Sequence, residues 1–220
     1  MGDVQKPEDS GLTCRFMQEK EATRLLYMLP AETEGRAFAI QFLAAQDGEG
    51  TSSITRDFAV VASQVLGLKV LLLSIDGLAG SIGQTMQDRY GLAPGERLED
   101  VAATCGGRLG LCQTRSARLV FAAPLEGAQM HLKDWVDFLA GQRAQWDLIL
   151  VDAPALSRSY MGGVLSPYVD TNIIVIAAES TERSEVRSLM DRIEEMRGGL
   201  LGAVLNKRHF YIPGFLYKRL

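Results

Sequence analysis

Histidine and cysteine are scarce in this chain, whose 220 residues include two histidines and three cysteines. The cysteines, Cys14, Cys105 and Cys112, form no Cys-x-x-Cys pair, so we do not expect a zinc site with the usual ligand spacing. An odd number of scattered cysteines favours reduced thiols in the cytoplasm over a disulfide framework. His131 and His209 accompany no nucleophile or carboxylate pattern, and we interpret them as surface or packing residues.

The chain also lacks an excess of positive charge and any long apolar run. Its 23 lysines and arginines are outnumbered by 27 aspartates and glutamates, whereas nucleic-acid-binding domains usually carry a strong basic patch. No apolar stretch reaches the roughly 20 residues of a membrane-spanning helix, and residues 1–10 are polar, without the pattern of a signal peptide. We therefore expect a cytoplasmic protein without a nucleic-acid partner.

The chain does contain a regular alternation of apolar and amphipathic segments. Strands are predicted at residues 38–45, 69–75, 147–152, 171–178 and 199–205, with one or two more within 108–123. Helices are predicted at residues 16–28, 54–65, 81–90, 97–104, 130–140 and 182–197. This alternation predicts a three-layer α/β fold, with a mostly parallel sheet covered by helices on both faces.

Three regions follow from this pattern. Residues 1–15 are predicted to be a flexible N-terminal arm, because they are polar and contain glycine and proline. Residues 16–205 form the predicted α/β domain, a suitable length for one hydrophobic core. Residues 206–220 form a tail that carries basic and aromatic side chains and no acid. The tail could lie on an anionic membrane surface or on a partner protein, or its aromatic rings could pack on the domain edge.

The segment between the first predicted strand and the following helix has the layout of a phosphate-binding loop. It reads Gln46-Asp-Gly-Glu-Gly-Thr-Ser-Ser53. Gly48 and Gly50 permit a tight turn whose backbone N–H groups point inward at a helix N-terminus. Such a loop normally reads Gly-x-Gly-Lys-[Ser/Thr], and its lysine reaches the terminal phosphates. Thr51 stands at the lysine position here, so a plain glycine-rich turn remains the alternative.

Two aspartates follow predicted buried strands that end at the same edge of the sheet. Asp76 follows strand 69–75, and Asp152 ends strand 147–152. Acidic side chains beside a phosphate loop can hold a magnesium ion or its waters. With the hydroxyl of Ser52, they form the predicted magnesium-associated set. Taken singly, each aspartate could instead cap the helix that follows it.

Residues 19–212 resemble the cytoplasmic domain of bacterial tyrosine kinases (BY-kinases), relatives of the MinD/ParA group of P-loop proteins. The segment Glu21-Ala-Thr-Arg24-Leu-Leu-Tyr27 resembles the oligomerisation helix Glu-x-x-Arg-x-x-Arg of the family. The loop that includes Gly48, Glu49, Gly50, Thr51, Ser52 and Ser53 resembles its nucleotide-binding Walker A loop. The segments that end at Asp76 and Asp152-Ala-Pro154 resemble Walker A′ and Walker B, and Thr181-Glu-Arg-Ser184 and Gly202-Ala-Val-Leu-Asn206 match later family landmarks.

The departures from the family pattern fall mainly on the residues that would bind the phosphate groups and carry out the reaction. Thr51 replaces the phosphate-binding lysine, and Ser74 replaces the first Walker A′ aspartate, which in the family helps to activate the attacking hydroxyl. Leu78 lies about where a basic residue follows. The tyrosine-rich tail that such kinases phosphorylate is reduced to Tyr211 and Tyr217. Asp76 and Asp152 remain as the catalytic candidates if the protein is active, and a lysine or arginine from elsewhere could compensate for Thr51.

The resemblance therefore implies a degenerate kinase, or pseudokinase, in exopolysaccharide synthesis or export. Its expected partner is an inner-membrane polysaccharide polymerase, synthase or chain-length-control protein, and homo-oligomers are possible through Glu21 and Arg24. The expected location is the inner face of the cell membrane, and ATP or ADP with Mg²⁺ would bind weakly if at all. Two alternatives stay open: an active tyrosine autokinase or ATPase, and a MinD-like accessory ATPase of a polysaccharide synthase such as cellulose synthase.

Overall fold

Eight strands, five α-helices and one 3₁₀ helix make up the described part of the computed structural model, which comprises residues 14–29, 35–76, 89–90, 99–113 and 118–207. The strands are β1 (Phe38–Ala44), β2 (Val70–Ser74), β3 (Glu99–Thr104), β4 (Leu109–Gln113), β5 (Leu119–Pro124), β6 (Leu148–Asp152), β7 (Thr171–Ala177) and β8 (Leu200–Asn206). The helices are α1 (Glu19–Tyr27), α2 (Thr51–Gln64), α3 (Leu132–Gln142), α4 (Met161–Leu165) and α5 (Arg183–Glu195), with the 3₁₀ helix at Ser166–Tyr168.

The strands form one sheet in the order β3-β4-β5-β2-β6-β1-β7-β8. The six strands from β5 to β8 in this order pair in parallel, and β3 and β4 extend one side of the sheet as an antiparallel hairpin. The central strands β1, β2 and β6 are buried almost throughout, as continuous apolar runs in a doubly covered parallel sheet should be.

Alternate residues of each central strand supply two separate cores, because successive side chains point to opposite faces of a sheet. On one face, Phe42 and Leu72 pack against Phe58 of α2 and Leu26 of α1. On the other face, the side chains of the neighbouring strand positions pack against α3 and α5, through residues that include Leu73, Trp135, Phe138, Leu189 and Ile193. The predicted three-layer α/β fold is confirmed.

Most predicted elements are present, but one assignment was wrong. Residues 97–104 were predicted as a helix, whereas Glu99–Thr104 is strand β3, paired antiparallel with β4. Tertiary pairing with the β4 hairpin partner outweighs the weak local helix signal of this segment. Of the predicted helix 81–90, only Arg89 and Tyr90 lie within the described residues, and both are helical. The spacing of Ile54, Phe58, Val61 and Val65 predicts that this helix buries all four, whereas Val65 follows the end of α2 and is exposed.

The chain before α1 is anchored by a carboxylate of α2. Asp57 is fully buried, and its Oδ2 accepts hydrogen bonds from the backbone N–H groups of Arg15, Phe16 and Met17, at 2.8, 2.6 and 2.9 Å. Its other oxygen accepts one from Arg56 Nη1 at 2.5 Å. The predicted arm at residues 1–15 therefore has its last residue tied to α2, while residues 1–13 and most of the predicted tail, 208–220, lie outside the described residues.

Among the helices of the described segments, none combines the length and apolar character that crossing a membrane requires.

Candidate phosphate-binding site

The glycine-rich loop connects the carboxyl end of β1 to the N-terminus of α2, as the sequence predicts. Gly48 and Gly50 have φ angles of 79° and 93°, in the left-handed region that favours glycine. Gly50 is the N-cap of α2. A Cβ atom at Gly50 would lie 2.1 Å from Nδ2 of Asn206, so a larger residue at this position would displace the Asn206 side chain that donates to the loop. The loop thus presents a helix N-terminus without a side-chain cap, an arrangement suited to anions.

Three residues from two other parts of the fold, the end of β8 and the segment after β7, hold this loop in place. Asn206 Nδ2 donates to the carbonyl of Glu49 at 2.8 Å, and Lys207 Nζ donates to the carbonyl of Gly48 at 2.5 Å. The buried carboxylate of Glu49 accepts hydrogen bonds from the Gln46 N–H and the Thr181 hydroxyl. The side chain of Glu49 is therefore a structural element of the loop. The family landmarks at Thr181 and Asn206 have a local physical role, which is to fix the loop.

Asp152 lies beneath the loop at the carboxyl end of β6, directly paired with Ser74 of β2 in the parallel ladder. Its side chain is buried and accepts hydrogen bonds from Tyr90 Oη, at 2.8 Å, and from the hydroxyl of Ser52. Burial raises the pKa of Asp152, and these hydrogen bonds only partly oppose the shift. Burial and the neighbouring Asp152 also raise the pKa of Tyr90 well above its usual value. The predicted pair Ser52–Asp152 is thus in direct contact.

Asp76, the second predicted carboxylate, is held between two arginines. Its Oδ2 accepts hydrogen bonds from Arg89 Nη2 at 2.8 Å and from Arg158 Nη2 at 2.5 Å. Arg89 Nη1 also donates to the hydroxyl of Ser74 at 2.7 Å, and Arg158 Nε lies 3.5 Å from Oδ1 of Asp47 in the loop. The Ser74 hydroxyl therefore accepts a hydrogen bond from a guanidinium group and also contacts the side chain of Tyr90.

A cavity of about 210 Å³ opens between the loop and these arginines. Loop residues form one side, and Arg89, Arg158 and the segment 153–155 that follows β6 form the other. The backbone N–H groups of a helix N-terminus and two guanidinium groups face the same space, so the cavity suits a phosphate group. The sequence interpretation missed both arginines, because they lie outside every quoted motif.

The same residues are compatible with magnesium but do not form a metal site on their own. No cluster of three or more His, Cys, Asp or Glu side chains that could hold a metal occurs within the described residues. Magnesium is usually held by one or two carboxylates together with substrate phosphates and water. Ser52 and Asp152 would supply such a contact, whereas Asp76 would first have to leave Arg89 and Arg158.

The other predicted functional residues lie apart from the loop or outside the described segments. Glu21, Arg24 and Tyr27 are exposed and follow one another at three-residue spacing on the outer side of α1. They are therefore accessible to a second copy of the chain. The phosphoacceptor candidates Tyr211 and Tyr217 lie outside the described residues.

Comparison with known proteins relates this fold to two groups. No protein-family model and no curated protein matches the chain. The structure is similar to the kinase domain of VpsO, with a TM-score of 0.65 at 19% identity, covering 87% of this chain and 95% of that one. It is similar to the kinase domain of the Escherichia coli tyrosine kinase ETK, with a TM-score of 0.64 at 17% identity, covering 88% and 77%. MinD from Pyrococcus horikoshii in complex with Mg-ADP gives a TM-score of 0.54 at 14% identity, covering 83% and 76%.

These similarities confirm the fold predicted from the sequence. The chain has the P-loop fold that BY-kinase domains and MinD-type ATPases share. Identities below one fifth carry the architecture and the position of the loop, whereas activity must be argued from the residues in the site.

Proposed function

We propose that this protein is a degenerate BY-kinase-like pseudokinase that serves exopolysaccharide synthesis or export as a binding or regulatory component. The fold provides the nucleotide-binding architecture of a kinase domain. The replacement of two chemically essential residues removes the expected phosphoryl transfer. The protein would then act through what it binds rather than through a reaction.

The observation that carries this proposal is the environment of Ser74 and Asp76. In an active site of this type, one carboxylate would accept a proton from the attacking hydroxyl. Ser74 has no acidic group to offer, and its hydroxyl accepts a hydrogen bond from Arg89. Asp76 is paired with Arg89 and Arg158, so a substrate hydroxyl would have to displace an arginine to reach its Oδ2.

The expected loss in reaction rate is larger than the expected loss in nucleotide affinity. Losing one charged hydrogen bond to a phosphate costs about 1.5–3 kcal/mol, so the substitution at Thr51 alone is compatible with measurable nucleotide affinity. Removing one preorganised donor from the transferring group costs on the order of 10²–10³ in rate. The absent general base costs about 10²–10⁴ more, although such losses need not multiply.

The pathway and the location rest on similarity to BY-kinase domains of polysaccharide assembly. We propose a membrane-bound polymerase, synthase or chain-length-control protein as the partner, with the protein peripheral at the inner face of the membrane. The basic aromatic tail from residue 206 would supply contacts with anionic lipid or with that partner. The exposed residues Glu21 and Arg24 on α1 would supply contacts between copies.

Mass spectrometry of the purified protein after incubation with MgATP tests the pseudokinase proposal. We expect no phosphate on Tyr211, Tyr217 or any other tyrosine. Phosphotyrosine that disappears in Asp152→Ala would instead establish an active autokinase. Deleting the gene in its host tests the pathway: we expect a change in the amount or chain length of surface polysaccharide, and unchanged polysaccharide would contradict the assignment.

A MinD-like accessory ATPase is the second candidate, because the MinD fold is also among the similar structures. Sedimentation with and without ATP separates the two proposals. Dimerisation that requires ATP would favour the MinD-like function, whereas an oligomeric state independent of nucleotide and sensitive to Arg24→Ala would favour the BY-kinase-like one.

A further inference from the structure

We propose that Arg158, assisted by Arg89, replaces the missing lysine of the loop and binds the phosphate groups of a nucleotide. This inference rests on the proposed function, in which the glycine-rich loop still binds the phosphate groups of a nucleotide. It deepens that proposal by assigning the positive charge that Thr51 cannot supply. The site would then bind phosphate through arginines instead of a loop lysine, and would not be a loop that has lost its ligand.

Position is the first argument. Arg158 and Arg89 both line the cavity, together with Gly48, Gly50, Thr51 and Ser52 of the loop. Arg158 approaches from the segment after β6, across the cavity from α2, and its Nε lies 3.5 Å from the Asp47 carboxylate of the loop. A phosphate seated on the N-terminus of α2 would therefore lie between the loop and this guanidinium.

The donors that remain on the guanidinium are the second argument. Arg158 uses Nη2 for Asp76 and Nε for Asp47, and within the described part of the chain its Nη1 has no recorded partner. A guanidinium presents five N–H donors in a planar fork that matches phosphate oxygens. The side chain of Arg158 is 47% exposed, so it is accessible to a ligand from solvent.

The local charge balance is the third argument. Asp76 can neutralise only one of the two arginines that contact it, and the second positive charge is balanced by Asp47 of the loop. Asp47 is 59% exposed and only 3.5 Å from Arg158, a weak partner in solvent. A phosphate carries more charge than either carboxylate and would compete for Arg158. Binding would then release Asp76 from one of its two arginines.

Calorimetric titration of the full-length protein with ADP in the presence of Mg²⁺ tests the inference. We expect Arg158→Gln to weaken binding by about tenfold or more, the effect of losing one charged hydrogen bond. Arg36→Gln is the matched control, because Arg36 is also about half exposed, at 53%, and also contacts an aspartate, Asp170. The control should leave the dissociation constant within twofold of wild type.

A rescue variant separates phosphate binding from an effect on folding. Introducing Thr51→Lys into the Arg158→Gln protein should restore affinity, since a lysine on the loop would supply the same charge. Titration with pyrophosphate and with adenosine distinguishes the recognised group. The inference predicts that Arg158→Gln weakens pyrophosphate binding and leaves adenosine binding unchanged.

Three results would overturn the inference. Wild-type protein could fail to bind both ADP and pyrophosphate. Arg158→Gln could bind ADP as tightly as wild type. Lys207→Gln, which removes the cation at the Gly48 carbonyl, could cause the loss while Arg158→Gln causes none. None of these results bears on whether tyrosine is phosphorylated, so a failure here is distinguishable from a failure of the pseudokinase proposal.

Discussion

Two clusters, each of one aspartate and two arginines, lie at opposite ends of the parallel strands. Before β7, Asp170 contacts Arg143 at 2.6 Å and Arg36 at 3.3 Å. After β2, Asp76 contacts Arg158 at 2.5 Å and Arg89 at 2.8 Å. The two aspartates are similarly accessible, at 14% and 21%, but their remaining contacts differ.

The cluster around Asp170 is bonded to the backbone. Asp170 accepts the N–H of Ala39 at 2.7 Å, and Arg143 donates to the carbonyls of Ala37 and Tyr168 at 2.9 and 3.4 Å. It therefore joins the starts of β1 and β7 to the end of α3. The described contacts of Arg89 and Arg158 are with side chains at the rim of a cavity. The same residue types thus stabilise the fold at one edge and line a candidate binding site at the other.

The largest expected effect is on stability. Asp170→Ala should lower the free energy of unfolding by about 3 kcal/mol, because it leaves the Ala39 N–H without its acceptor and Arg143 without the carboxylate that balances its charge. Asp76→Ala should cost only about 1 kcal/mol, because the recorded donors to Asp76 within the described residues are side chains and one of them, Arg158, is 47% exposed. Denaturant unfolding of both variants measures the difference. Equal losses would show that the Asp76 cluster is structural as well.

A substitution in the loop tests the candidate phosphate-binding site without changing the Asp170 cluster. Thr51→Lys should increase affinity for MgADP by about 10- to 100-fold, since one charged hydrogen bond to phosphate contributes about 1.5–3 kcal/mol. It should restore little catalysis, because Ser74 still offers no base. Calorimetry and a tyrosine phosphorylation assay measure the two effects separately. Rapid autophosphorylation by this variant would mean that Ser74 has been assigned the wrong role.

The buried Asp152 gives a pH-dependent effect of intermediate size. Its raised pKa means that the folded protein retains this proton to higher pH than the unfolded chain. Its contribution to stability is therefore full below about pH 4, the ordinary pKa of aspartate, and is lost as pH rises through the raised value. The Asp152→Asn variant has no ionisable group at this position, so it does not lose stability in this way as pH rises.

Thermal melts of Asp152→Asn and wild type across a pH series check this expectation. Relative to wild type, the melting temperature of the variant should rise with pH by an amount on the order of a few degrees. A difference between the two proteins that does not change from pH 4 to pH 8 would contradict the raised pKa.

The smallest expected effect belongs to the exposed arginines. Arg36→Gln and Arg158→Gln should each change the free energy of unfolding by less than about 1 kcal/mol, the usual contribution of an exposed ion pair. Chemical denaturation of the two variants side by side provides the measurement. A large loss in Arg158→Gln alone would identify Arg158 as part of the scaffold.

The fold was predictable because its central strands are continuous apolar runs, and helices with a clear apolar face follow β1, β5 and β7. Leu71, Leu72 and Leu73 can only be buried on both sides of a sheet. The segment 97–104 was misassigned because its strand depends on pairing with β4. The local sequence pattern of the segment does not indicate this pairing.

The loop and its two aspartates were likewise predicted, since they follow strands that end at one edge. The arginines were not, because Arg89 and Arg158 reach the cavity through contacts that only the folded chain creates. Arg158 follows Asp152 in the same connection, and this proximity was the one available sequence signal.

A single-turnover experiment tests the central claim most directly, which is that the phosphate loop persists without phosphoryl transfer. Protein in excess is mixed with labelled MgATP, and the conversion of ATP to ADP is followed over hours. The account predicts that the nucleotide is recovered as ATP. Conversion approaching the rate of about 1 s⁻¹ or more that is typical of kinases, abolished by Asp152→Ala, would contradict it.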